Sequence, residues 1–451
     1  MEEKKKFGAS TWVKFLVFSA IGVFLFFINV PFRGKTTVPM LHIINNIKAA
    51  VPGRGNEWLV FIMCISTVVT GLLARLPNAP AWLKAHHPRD TWFSWFTYIT
   101  AAIFAVMVVF NVGPVCFIDP KVGMASLNVA RDVIYAVIIA GGLVAFLTEF
   151  GLLEFLGVLL EPVMRKLFRV PGKASIDALS SFVCAPSVAV MITNDLYKQK
   201  VYTQREAVAI TTSFSFCSLG GFAFMSGMVK CGDRYGTVVL TALLMAFVLA
   251  AIMVRIPPIS KKKDIYIDGA VQTAEDRKIV GYNSETLPRA ADAALTKAKD
   301  APPVCILTKA LAAVGFAQKV AAYIMSLSVI FLALANYTPV VDWLGVPIAP
   351  ILRLFRLPDV EIIAPCVLSG FFALSLPSTL VAAAGEAVSV AAGFFVIVLS
   401  TSQVIFFTES ANAMMESEVP VNFKDLLIIF LERTAFLIPL VALMTHIIFH
   451  F

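Results

Sequence analysis

Long apolar runs alternate with short polar joints along this chain, and the runs set its architecture. Apolar stretches at 57–75, 91–112, 132–150, 205–228, 236–255, 317–336, 390–410 and 424–447 each approach the length that crosses a hydrocarbon core. A first run from Thr11 to Val30 does the same, so nine crossings are expected. That run follows Lys4, Lys5 and Lys6, as a signal peptide would, but it is long and lacks a small-x-small cleavage site, so it reads as a retained span. Residues 31–56 carry Pro31, Pro39 and Pro52 and a mixed stretch from Leu41 to Lys48, which predicts an interfacial helix. Trp82, Trp92 and Trp95 flank the third crossing, where indole rings favour the headgroup level.

Two further apolar segments, 175–197 and 360–388, are broken at Pro186 and Pro377, where the ring removes a backbone donor and blocks the helical turn. Neither half is long enough to cross alone. Each segment reads as a re-entrant helical hairpin, tolerated at membrane depth only when its backbone is buried in protein or lines a wet cavity.

The hairpins belong to a repeat. Leu156-Gly157-Val158 leads through Pro162 and Arg165 to Leu167-Phe168-Arg169-Val170-Pro171, and Leu344-Gly345-Val346 leads through Pro350 and Arg353 to Leu354-Phe355-Arg356-Leu357-Pro358. The match continues as Cys184-Ala185-Pro186-Ser187 against Ser375-Leu376-Pro377-Ser378, then Thr212-Ser213-Phe214-Ser215 against Leu399-Ser400-Thr401-Ser402. An odd number of crossings separates the hairpins, so the repeats are expected to be inverted with respect to the membrane, with a solute site at the hairpin tips.

Composition agrees: 59% of residues are hydrophobic, 15% are charged and mean hydropathy is +0.83, which excludes an ordinary soluble domain. The net charge of +8 does not signal nucleic acid, because Lys and Arg fall in the joints. Their excess on one side, with Lys309 and Lys319 counted to the lead-in of a span, places the N-terminus in the cytoplasm. The seven cysteines lie far apart with no Cys-x-x-Cys pair, so neither a zinc nor a redox site is signalled. The polar stretch from Ile256 to Pro303 reads as a cytoplasmic connector, partly disordered or marginally helical around Ala290 to Lys299. The expected organisation is N-terminal membrane helices at 1–130, a first repeat at 131–255, the connector at 256–304 and a second repeat at 305–451.

The run Gly151-Leu152-Leu153-Glu154-Phe155-Leu156-Gly157-Val158-Leu159-Leu160-Glu161-Pro162 is followed by Ile176-Asp177-Ala178-Leu179-Ser180-Ser181-Phe182. Ile192-Thr193-Asn194-Asp195 and Tyr202-Thr203-Gln204-Arg205-Glu206-Ala207 come after it. Over these residues, and from about residue 130 to the end, the chain resembles the YjiH-like membrane proteins with nucleoside-recognition, or Gate, domains. The resemblance implies paired Gate units forming a conduit. At domain level it extends to concentrative nucleoside transporters, the Gate halves of ferrous-iron transporters and spore-maturation membrane proteins. The Gln-Thr-Glu-like motifs of the nucleoside transporters are met here only by Thr408-Glu409-Ser410 and, separately, Gln403, a departure that leaves nucleoside selectivity unassigned. The sequence has no Gly-x-x-x-x-Gly-Lys-Ser/Thr, so the GTPase of the ferrous-iron proteins is not expected on it.

Polar residues inside apolar segments face a partner helix or a wet path. Ser187 and Ser378, just after their prolines, satisfy loosened backbone or contact solute. Thr193, Asn194 and Asp195, on the outgoing arm of the first hairpin, either ligate solute or cation or cap the hairpin exit. Ser213, Ser215 and Ser218, opposite Ser400, Ser402 and Gln403, place hydroxyl and amide groups at matching points of the two repeats, for a central site or for helix packing. Glu409 follows Ser402 by two helical turns, so both address one cavity, where its carboxylate binds a coupling Na⁺ or accepts a proton, or else marks the end of the span. Glu432 and Arg433 predict a buried ion pair with another helix, or a gate that works by a switch of partner. His86, His87, His446 and His450 read as solvated loop and terminus, with no metal site.

The expectation is an all-α polytopic protein of a bacterial inner membrane, with about nine transmembrane helices and two re-entrant hairpins in inverted repeats. It is expected to be a secondary transporter of a small polar organic solute, nucleoside-like or amino-acid-like, working by alternating access coupled to Na⁺ or H⁺ and needing no other cofactor. Its partners are the bilayer and the solute, not nucleic acid, and a homo-oligomer is compatible with the pattern. No paired catalytic Asp, serine elbow or His-Glu-x-x-His motif points to an enzyme. The alternative is a non-transporting scaffold or assembly factor like the spore-maturation relatives.

Overall fold

The computed structural model describes residues 7–28, 30–32, 35–87, 92–183, 186–217, 219–273, 281–301 and 305–450. Lys4 to Lys6, Cys184, Ala185 and Ser218 lie outside the described residues. Seven segments are long and apolar enough to cross a membrane by length and composition. They contain α1 (Ala9–Phe27), α3 (Gly55–Ala74), α4 (Trp92–Phe110), α5 (Ala125–Leu143), α11 (Tyr235–Met253), α13 (Cys305–Tyr323, continued to Tyr337) and α18 (Phe423–Phe449). Two further runs expected to cross are each divided into two shorter helices: α9 (Gln204–Phe214) with α10 (Leu219–Met228), and α16 (Val390–Gln403) with α17 (Ser410–Glu416). The nine expected runs are therefore present, two of them interrupted. The expected interfacial helix is α2 (Pro39–Ala50).

Both hairpins are helical. The first is α7 (Ala174–Val183) and α8 (Pro186–Lys198), the second α14 (Val360–Ser369) and α15 (Leu376–Ala384). Pro186 and Pro377 stand in the first turns of the return arms, where a missing N–H leaves nothing unsatisfied. The hairpins open on opposite faces. The exit of the first meets the connector, where Lys200 pairs with Asp268 and the Gln204 N–H donates to the Ile265 carbonyl. The base of the second is closed by Ser389 N–H donating to Asp359 Oδ2, and nearby Phe355 meets His446 at the far end of α18. The near end of α18 meets the connector through Lys262 and Asp425. Arg169 and Arg356, the matching arginines of the repeat, both take the left-handed backbone, at φ 55° and 52°. That shared turn lets each amphipathic lead-in fold back beneath its hairpin.

The repeats interlock. Arm α8 of the first hairpin packs on α17 of the second repeat, arm α15 of the second hairpin packs on α10 of the first, and α11 and α18 pack on α16. Outside this centre, α13 lies against α3, α4, α5 and α17.

Two expectations are corrected. The span expected at 317–336 is a helix from Leu307 to Tyr337, so Lys309 and Lys319 are on a membrane helix and not in its lead-in. Carboxylates from neighbouring helices hold both lysines, which is why charge is tolerated there. The connector, expected only to join the two repeats with a marginal helix around Ala290 to Lys299, forms there a full helix, α12 (Thr286–Asp300), which buries Ala290, Ala294, Leu295 and Ala298 against α1 and the amphipathic α6 (Leu152–Phe168). Gly151, at φ 98°, lets α12 approach so closely that a Cβ would strike the Ala294 carbonyl.

Glu149 ties these parts together, its carboxylate 3.1 Å from Lys297 of α12 and 3.0 Å from Lys309 of α13. Burial pushes its carboxyl up, but the two ammonium groups outweigh this and hold it below the usual value. Glu149→Gln is expected to lower stability by about 2 kcal/mol at neutral pH. The wild type holds this increment above about pH 4.3. It loses it as pH falls through the depressed value, so wild-type and variant melting curves in detergent should converge in acid. A gap that does not narrow at all as the pH is lowered would disprove the pairing.

Candidate functional site

A helix that stops halfway leaves carbonyls without partners at its end. Both broken crossings do this, α9 after Phe214 and α16 after Gln403. Val404 follows in the left-handed region at φ 68°, strained for a β-branched residue, and Ser410 Oγ donates to its carbonyl at 2.6 Å. The two stopped ends share one donor. Arg433 of α18, fully buried, donates from Nη1 to the Thr212 carbonyl at 3.1 Å and from Nη2 to the Ser402 carbonyl at 2.7 Å. The expected ion pair is thus replaced by a guanidinium at two helix C-termini, whose partial negative charges converge on it. Glu432 is half-buried on the next face, its Oε2 without a hydrogen-bond partner among the described residues. Gln403 continues the clamp, donating to the Val367 carbonyl at 2.8 Å and to Thr434 Oγ1 at 2.9 Å, while its Oε1 occupies the space beside Gly370 where a Cβ would be.

The opposite pole is Glu409, at the N-cap of α17. Its Oε1 accepts from Ser187 N–H at 3.2 Å and from Ser187 Oγ at 2.9 Å. A carboxylate of the second repeat therefore lies at the N-terminus of the first hairpin's return arm, where the helix dipole favours negative charge. The expected two-turn spacing from Ser402 to Glu409 fails because the helix breaks between them. Further along, Asn194 Oδ1 accepts from the Glu418 N–H at 2.8 Å, so α8 and α17 descend side by side.

The other candidates separate. Thr193, Ser215 and Ser400 bond carbonyls of their own helices, at Ala189, Thr211 and Ile397, and Ser402 Oγ reaches Ala242 on α11 at 3.4 Å. These are packing roles, the expected alternative. Ser213 and Ser378 are buried, and their hydroxyls have no hydrogen-bond partner among the described residues. The breaks align Phe214 with Gln403, so the matching serines are Ser213 and Ser402, two residues from the register read in the sequence. Asp195 lies away from the tips, paired with Lys309. Asn194 and Asp195 line a cavity of about 550 Å³ together with Lys309, Lys319 and Glu416.

Lys309, Lys319 and Glu416 were not singled out from sequence, although two lysines inside an apolar helical run were the available signal. His450 is exposed at the end of α18, as expected, but three of the histidines have partners: His86 meets Gln318 at 3.1 Å, His87 meets Thr70 at 3.1 Å and His446 meets the Phe355 carbonyl at 2.7 Å. Among the described residues no group of three His, Cys, Asp or Glu could hold a metal.

The residues that carry the family resemblance build the hairpin's base. Tyr202 donates to buried Asp177 at 2.7 Å, Thr203 and Glu206 form a capping box on α9, and Glu206 also accepts from Arg165 at 2.6 Å and from Gln272 at 3.0 Å.

Replacing Arg433 by Met should leave two helix ends unsatisfied and lower the melting temperature in detergent, equivalent to about 2 kcal/mol after the relief of burying a charge. Gly370→Ala should push Gln403 off its two acceptors, at about 1–3 kcal/mol. Unchanged melting in either variant would show that other donors serve these groups.

A family model described as Gate, nucleoside recognition, matches residues 130–232, which span the end of α5, the first hairpin and the first broken crossing. An uncharacterized protein of Alkalihalophilus pseudofirmus is 30% identical over 465 aligned positions, covering 99% of this chain and 97% of that protein. With one relative matched nearly end to end and the Gate model lying on the first inverted repeat, the chain belongs to the Gate, or nucleoside-recognition, family of transporter-like, multi-pass membrane proteins.

Proposed function

We propose that the protein is a secondary transporter that carries a small polar organic solute across a bacterial inner membrane by alternating access, driven by H⁺ or Na⁺. In this reading the N-terminus and connector face the cytoplasm, so the first hairpin enters from the cytoplasm and the second from outside. The single observation that carries it is the Ser187–Glu409 contact, where the tip of one hairpin is held by the broken crossing of the other repeat. A charged carboxylate accepts both Ser187 bonds. A proton or a cation on the same oxygens competes with Ser187, loosens the tip and gives the second conformation that transport needs. Ser213, Ser378 and Gln403, buried polar groups near the breaks with unsatisfied atoms, are the solute-facing candidates that remain.

The test is uptake into proteoliposomes from pooled labelled nucleosides and amino acids, under an imposed pH or Na⁺ gradient. Glu409→Gln is expected to cut gradient-driven uptake at least tenfold while the protein still elutes as a single folded species. Ser187→Ala, which removes one of the two bonds, should fall between. Uptake by Glu409→Gln that still follows the cation gradient would remove Glu409 from the mechanism.

A further inference from the structure

The cavity beside α8 and α13 lies apart from the Ser187–Glu409 contact, and its charges are arranged in a particular way. Its floor is the small-residue face of α13, at Ala312, Ala313 and Gly315. A lysine stands at each end of that floor, ten residues apart and so separated by about 15 Å along the helix axis. Each lysine is held by a carboxylate from a different repeat. Lys309 pairs with Asp195 of the first hairpin, and Lys319 pairs with Glu416 of α17 at 3.0 Å, both of the latter side chains only 9% exposed. Lys309 has a second partner in Glu149 at 3.0 Å. Asp195 is the most exposed member of these pairs, at 36%.

Resting on the transporter reading, we infer that this cavity binds the solute on the connector side. Its solute is a small zwitterion whose ammonium joins Asp195 and whose carboxylate joins Lys319. The reason is charge balance in a partly buried place. A solute with one net charge leaves a buried partner uncompensated, which is heavily penalised. A neutral solute gains nothing by entering between ion pairs. A molecule with one charge of each sign leaves the net charge of the cavity unchanged: Glu149 still faces Lys309 when Asp195 turns to the ammonium, and Lys319 is shared between Glu416 and the solute carboxylate. The apolar floor between the poles suits a methylene or similar spacer. Because the same carboxylates tie α13 to the first hairpin and to α17, a zwitterion that shares them loosens both ties at once.

The test is binding to the purified full-length protein by calorimetry, using γ-aminobutyrate, 6-aminohexanoate and 8-aminooctanoate. Hexanoate, hexylammonium and uridine serve as controls. At least one ω-amino acid should bind tenfold or more tightly than hexanoate and hexylammonium, with an optimum in chain length. Asp195→Asn should abolish that preference, and Asp195→Glu should restore part of it. The paired substitution Lys319→Gln with Glu416→Gln, which keeps the local charge balanced and so guards against misfolding, should also abolish it. Equal binding of hexanoate, binding of uridine alone, or no binding by any ω-amino acid overturns the inference. Gradient-driven uptake of another solute class alongside any of these results would leave the transporter reading standing. Zwitterion binding that responds to Asp195, with no uptake of any solute, would uphold the site and defeat the transporter.

Discussion

The structure depends on one constraint: inside a protein shielded from water, a helix that stops must have its end groups answered by something else in the chain. Two crossings stop halfway here, and the answers come from two side chains of opposite charge. Arg433 serves the carbonyl ends of α9 and α16 together, and Glu409 stands at the N–H ends of α8 and α17. Each residue acts where the helix dipole has the opposite sign. Each also joins the two repeats, since Thr212 and Ser187 belong to the first while Ser402 and Glu409 belong to the second.

The two joints differ in kind. Arg433 is a single, fully buried side chain holding two backbone carbonyls, with Gln403 and Thr434 bonded to each other beside it. The Glu409 joint depends on a serine and one carboxylate oxygen. The base of the first hairpin is held by several side chains, through Asp177, Tyr202 and the Glu206 network. The first hairpin thus has a network of side chains at its base and, at the first turn of its return arm, the two Ser187 bonds to Glu409.

Much of this was legible in the sequence, and for physical reasons. Proline in an apolar segment too short to cross twice signals a hairpin, and the ordered recurrence of Gly, Pro, Arg and Pro signals a repeat. Arg169 and Arg356, read only as matching letters, turned out to share a left-handed backbone. The centre was less legible. Nothing local marks Val404 as the start of a break, so Glu409 was placed in a helical register that the chain does not keep. Arg433 looked like half of an ion pair because sequence shows charged side chains but not the partial charges of helix ends. Asp195 was read at the hairpin exit without its partner, because Lys309 lies more than a hundred residues away on a helix that begins earlier than hydropathy alone suggests.

The placement of Lys309 explains why its surroundings are so acidic. It stands near the start of α13, the end of a helix where the dipole already presents positive charge, so the helix itself disfavours a lysine there. One carboxylate would offset the ammonium; Lys309 has two, Glu149 and Asp195, from separate elements. Glu149 also holds Lys297 and is the more buried of the two acids, so it belongs to the frame that fixes α12 to α13. Asp195 lies near the end of the return arm of the first hairpin, and with Glu149 it gives two carboxylates to the two lysines, Lys297 and Lys309. Asp195 is the more exposed of the two acids, and it lies on the arm whose first turn Glu409 holds. The acid that pairs with Lys309 and the serine that Glu409 holds are therefore on the same short helix, α8.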